Sequence, residues 1–197
     1  MMNTIIKDSL KNSVSYPVYR KQVSALLIEG KSTGGSQSDA LLHYSMLNDR
    51  RMGRLDKKVT LLDTTIEALK KTTKKRTWLL ITEGWCGDAA QITPILHKMT
   101  LESEMLELKV VLRDENDVLM RQFLTNGSRS IPKLIVLNEH DEVLSSWGPR
   151  PSIASKMVQD YKEQYGSLDD NFKRDLQLWY AKNKGENIQE DLVNLID

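Results

Sequence analysis

Apolar positions in the first part of the chain recur every three or four residues. Residues 16–29 carry Val18, Val23, Leu26 and Leu27 at helical intervals and run into Gly30, a residue suited to end a helix. Residues 31–37 are rich in Gly and Ser without a period, and read as a loop. Ser38 can cap a long amphipathic helix over 38–57. There Leu41, Leu42, Met46, Leu47 and Leu55 lie near one stripe, while Asp49, Arg50, Arg51, Arg54, Asp56 and Lys57 supply polar faces. Leu61, Leu62, Ile66 and Leu69 predict a further helix, ending in the basic run 70–76, whose charges favour a helix C-terminus.

From Thr77 the pattern changes. Residues 78–82 form a short apolar run, 86–99 return to helical spacing, and 108–112 are again strand-like, so the stretch reads as a strand-helix-strand unit. A short helix over about 116–124 leads to the turn residues Asn126 and Gly127. Residues 133–137 and 143–147 then form a hairpin around the polar turn 138–142. Residues 153–165, 172–181 and 188–195 are expected to be helical.

Composition narrows the chemistry. The 197 residues fit one globular unit with added elements. Lys plus Arg number 28 and Asp plus Glu 27, a formal net charge of +1, so no overall field favours nucleic acid or an anionic membrane. Residues 1–20 alternate polar and apolar with no secretory h-region, and no run reaches the length of a membrane span, which implies a cytoplasmic location. His43, His97 and His140 are scattered among different predicted elements, so no metal site is expected. Gly34-Gly35 lacks the other residues of a phosphate loop, and no cofactor is expected. Cys86 is the only cysteine, which excludes an internal disulfide and agrees with a reducing compartment.

Cys86 heads the run Trp85-Cys86-Gly87-Asp88-Ala89, with Pro94 in the helix that follows and Ser130-Ile131-Pro132 placed just before a strand. In that order, between matching elements over residues 59–165, these motifs resemble the thioredoxin-like family, and the pattern is most similar to its bacterial members with an added N-terminal helical region. The resemblance implies an α/β fold: a central mixed sheet flanked by helices, with extra N- and C-terminal helices. The corresponding division is 1–58 for the N-terminal extension, 59–165 for the thioredoxin-like domain and 166–197 for a C-terminal extension packed on the same unit. It also implies that Ile131-Pro132 is a cis-proline loop facing Cys86. Two departures matter. Ala89 stands where the family's resolving cysteine would be, and Leu80 stands where a buried acid usually helps proton transfer.

What remains is a single thiol at a helix start, where free backbone N–H groups and the helix dipole favour a thiolate and a nearby Asp88 opposes it. Trp85 offers an apolar surface beside the sulfur, and the Ile131 backbone next to Pro132 is expected to be free to pair with an extended peptide. Gly87, next to the sulfur, is counted with Trp85, Asp88, Ile131, Pro132 and Arg150 among the candidate substrate-binding residues. Asp88 reads as a first-turn helix stabiliser, and Arg150, between two prolines, reads either as a ligand for an anionic partner group or as packing over the helices. Pro94 reads as a structural kink. A cluster bridged between chains, as in monothiol glutaredoxins, is argued against by Trp85 and Asp88, and the Pro and Thr expected ahead of a peroxiredoxin cysteine are missing.

Two functions fit. In one, Cys86 attacks a mixed disulfide and the adduct is resolved by a low-molecular-weight thiol or another protein, making the chain a monothiol oxidoreductase. In the other, the fold binds a peptide or partner protein in a groove beside Trp85 and Pro132 without turnover. Whether the stripe on helix 38–57 faces the core or a partner discriminates between them.

Overall fold

A computed structural model describes residues 2–196. Its centre is a five-stranded mixed sheet in the order β1-β3-β2-β4-β5, built from β1 (Val14–Ser15), β2 (Arg76–Thr82), β3 (Leu106–Leu112), β4 (Lys133–Leu137) and β5 (Val143–Trp147). β2 runs parallel to β3 and antiparallel to β4, with Leu80 opposite both Val110 and Leu134.

Successive side chains of a strand point to opposite faces, so each face of β2 feeds a different core. Trp78 and Leu80 pack with Val110, Leu134 and Val136 under the long helices, whereas Leu79 and Ile81 pack with Val111, Ile135 and Leu137 on the other side. The helices lie in chain order: α1 (Met2–Lys11), α2 (Tyr16–Ile28), α3 (Asp39–Lys58), α4 (Asp63–Lys71), α5 (Gly87–Thr100), α6 (Asp117–Met120), α7 (Ser152–Tyr165), α8 (Asp170–Asn183) and α9 (Glu186–Val193). None of them is long and apolar enough to cross a membrane.

The α/β architecture with a mixed sheet flanked by helices is the one expected. Gly30 takes φ +69° just past the end of α2, the left-handed conformation that closes helices. Several local expectations change. Residues 2–11, for which the sequence offered no element, are helical, with Ile6 fully buried in the second core and Ile5 and Leu10 packed against it. Residues 14–15 add an edge strand antiparallel to β3. The helix expected over 116–124 contracts to the single turn of α6.

The largest difference concerns α3. None of Leu41, Leu42, Met46, Leu47 and Leu55 is buried; the buried positions are Ser45, Asn48 and Met52. The helix lies against α5 and α2 with Met52 in the core, and its buried Asn48 and Ser45 meet the Gly84 carbonyl and the Ser32 hydroxyl, polar groups of the adjoining turn and loop that need hydrogen-bond partners.

Candidate active-site turn and its pocket

The turn after β2 is held from outside the sheet. Thr33, in the loop between α2 and α3, donates its hydroxyl to the Glu83 carboxylate and accepts the Gly84 N–H at 2.8 Å. Asn48 Nδ2 of α3 donates to the Gly84 carbonyl at 2.9 Å, and the Asp114 N–H donates to the other Glu83 oxygen at 3.0 Å. Ser32 and Ser45, both buried, bond to each other at 2.6 Å and tie that loop to α3. Glu83 is wholly enclosed, and burial pushes its carboxyl above the ordinary 4.5. The Gly/Ser loop is therefore a clamp on the turn.

Cys86 is the N-cap of α5. It is only 8% exposed, and its Sγ lies 3.4 Å from the Ile131 carbonyl, to which the thiol donates. Burial and the neighbouring Asp88 push the thiol up to about 12, outweighing the Ala89 and Asp88 N–H groups that pull it down. The opposing effects named from sequence thus resolve toward a protonated thiol.

Asp88 does more than stabilise the first turn of α5. It is itself buried and meets Arg150 Nη2 at 2.7 Å, while the Tyr180 hydroxyl of α8 donates to its other oxygen at 3.0 Å. Burial pushes the Asp88 carboxyl up against the pull of those two donors. The anionic group that Arg150 meets is Asp88 of the chain itself, so its ion pair is an internal one.

Arg150 reaches Asp88 because the Trp147–Pro151 segment folds back on the proline loop. The Ile131–Pro132 and Gly148–Pro149 peptides are both cis. Gly148, at φ +108°, sits so close to Pro132 that a Cβ would overlap the Pro132 carbonyl oxygen. Ser152 and Trp147 then bond to Asp191 of α9, which fixes the start of α7.

Trp85, Cys86, Gly87, Asp88 and Arg150 all line one half-open pocket of 820 Å³. Ile131 and Pro132 do not line it; both are buried, and the Ile131 carbonyl is taken by Cys86 rather than free for a peptide. The groove expected beside Pro132 lies instead on the other side of the turn, between α3 and α8. Leu41, Tyr44, Arg51 and Arg54 of α3 form one wall, and Lys173, Gln177, Leu178 and Ala181 of α8 the other. Gln91 of α5 donates to Gln177 at 2.9 Å, which closes the seam between floor and wall. Trp85 presents one ring face to the Arg113 guanidinium, 4.7 Å from the ring centroid.

Sequence reasoning missed the clamp residues Thr33, Asn48 and Glu83, and the α8 wall. Asn48 carried a signal: a polar residue in register with the apolar stripe of an amphipathic helix needs a buried partner. Tyr180 carried none, being 92 positions from Asp88. Among the described residues no group of three or more His, Cys, Asp or Glu is arranged to hold a metal ion.

A search of curated proteins finds no match to the chain. Among solved structures it is similar to a Pseudomonas aeruginosa protein of unknown function, at 17% identity and a TM-score of 0.59, covering 93% of this chain and 97% of that one. It is similar also to an HIV epitope-scaffold protein, at 19% identity and a TM-score of 0.55, covering 93% and 98%. Those identities speak to fold. The family model described as thioredoxin matches residues 34–162, which include α3, the Cys86 turn and the proline loop. The chain belongs to the thioredoxin-like family.

Proposed function

We propose that this protein is a binding module on a thioredoxin fold, with the pocket between α3 and α8 as its ligand site and the Cys86 turn as its floor. One observation carries the reading. The chain's only thiol is buried, hydrogen-bonded to Ile131 and held protonated, at the bottom of an 820 Å³ pocket whose walls come from the helices outside the strand-helix-strand core.

A thiol-exchange enzyme needs the opposite at its nucleophile, since the thiolate attacks and must reach the disulfide. Pockets of a few hundred to about 1,000 Å³ with apolar walls and a few polar groups are the usual form of small-ligand sites. Leu41, Tyr44, Leu178 and Ala181 supply such walls here.

Monothiol exchange through Cys86 is the second reading. It rests on the position of the sulfur as N-cap of α5, where the Asp88 and Ala89 N–H groups favour the thiolate. The two readings separate in a turnover assay with hydroxyethyl disulfide and glutathione. The binding reading expects no rate above the uncatalysed one for the wild type, and none lost in Cys86→Ser. A protein-dependent rate that vanishes in Cys86→Ser establishes the second reading and removes the first.

A further inference from the structure

Helix α3 carries Asp49 and Asp56 among its basic residues, and both are used on the side facing α2. Arg20 donates to Asp49 at 2.7 Å and to Asp56 at 3.4 Å, and the Tyr16 hydroxyl donates to Asp56 at 2.6 Å. On the pocket side, among the described residues, Arg51 and Arg54 form no ion pair with a carboxylate; Arg51 bonds only to Asn48, at 2.7 Å. The two acids in the pocket are consumed elsewhere, Asp88 by Arg150 and Asp170 by Lys173 at 2.9 Å. The pocket therefore holds two guanidiniums, one of them half-buried, that face each other's charge with no counterion. Burial and Arg54 lower the basicity of Arg51, as that geometry requires.

We infer that the pocket takes a small amphipathic anion, with a carboxylate or phosphate held by Arg51 and Arg54 and an apolar body lying against Tyr44, Leu178 and Trp85. This rests on the binding reading above and names its ligand. Planar guanidiniums suit both oxyanions, which they grip through two parallel N–H bonds. Length fits as well. Tyr44 and Arg51 share a helix face seven residues apart, a rise of roughly 10 Å, about the span of an eight-carbon chain. A small molecule is favoured over an acidic peptide because the concavity is the size of a small-ligand site and its open cations are confined to one wall.

The test titrates the full-length protein with octanoate, octyl phosphate, octanol and inorganic phosphate, by calorimetry and tryptophan fluorescence. Octanoate and octyl phosphate bind one to one, octanol at least about tenfold more weakly, and inorganic phosphate weaker still. The double variant R51Q/R54Q brings octanoate down to the level of octanol and leaves octanol unchanged, while R51K/R54K keeps most of the difference. Leu178→Asp, at a half-exposed position, weakens all three chain-bearing ligands.

Equal binding of octanoate and octanol, or an unchanged octanoate affinity in R51Q/R54Q, overturns this inference while the pocket reading stands. Phosphate binding as tightly as octyl phosphate also overturns it, since the apolar body then contributes nothing. Failure of every ligand, or binding of a glutamate-rich decapeptide alone, removes the small-ligand site as well.

Discussion

The floor and the α3 wall of the pocket treat charge in opposite ways. On the floor every ionisable group is answered from within the chain: Asp88 by Arg150 and Tyr180, and Cys86 by staying protonated against Ile131. On the wall Arg51 and Arg54 stand together with no acid to answer them. A reactive centre would leave its charge open at the sulfur. Here the open charge is on the wall, where a ligand can neutralise it, and the floor serves as a rigid base.

Removing a floor charge should therefore cost far more than removing a wall charge. Arg150→Ala leaves the Asp88 carboxylate buried and unpaired, and is expected to lower stability by about 3 kcal/mol. Asp88→Asn in the same chain should restore part of that loss in urea unfolding. A loss below about 1 kcal/mol for Arg150→Ala would place Asp88 in contact with water and break the contrast.

The next effect is one of pH. Glu83 binds its proton more tightly in the folded chain than the ordinary 4.5 of the unfolded one. The stability it contributes is full below 4.5 and is lost as the pH rises through its folded value. Glu83→Gln keeps the shape and one of the clamp's two accepting oxygens while removing the titrating proton, so it should flatten this part of the stability-pH curve. An unchanged curve would assign the slope to another group.

The smallest effect belongs to the wall. R51Q/R54Q should cost about 1 kcal/mol in the absence of ligand, because it removes repulsion and breaks no ion pair but loses the Arg51 bond to the buried Asn48. A loss as large as that of Arg150→Ala would make the wall as self-satisfied as the floor.

The sheet and the turn were legible in the sequence because short apolar runs bounded by turn residues have few alternatives, and the order Trp85-Cys86, Pro94, Pro132 fits between them in one way. The segment 2–11 and the edge strand were not legible. The first is a short helix held by Ile6 with Ile5 and Leu10 beside it, and a two-residue strand has no period to detect. The stripe of α3 misled for a physical reason: Leu41 lines a pocket and the other leucines lie half-covered, while Met52 packs in the core and Ser45 and Asn48 meet polar groups of the neighbouring loop and turn. Among the candidate residues, Trp85, Gly87, Asp88 and Arg150 line the same pocket as Cys86. Ile131 and Pro132 lie beside the sulfur but do not line the pocket, because sequence order does not say which flank of a turn is open. The α8 wall and Tyr180 come from tertiary approach alone.

The most direct test of the account is alkylation of the folded protein by iodoacetamide across pH 6 to 10, since Cys86 is the only thiol that can react. A thiol buried and pushed up to about 12 predicts almost no labelling of the native protein at pH 8, with full labelling once it is unfolded in urea. Rapid native labelling with an apparent pKa below about 7.5 would contradict the account and make Cys86 an activated nucleophile.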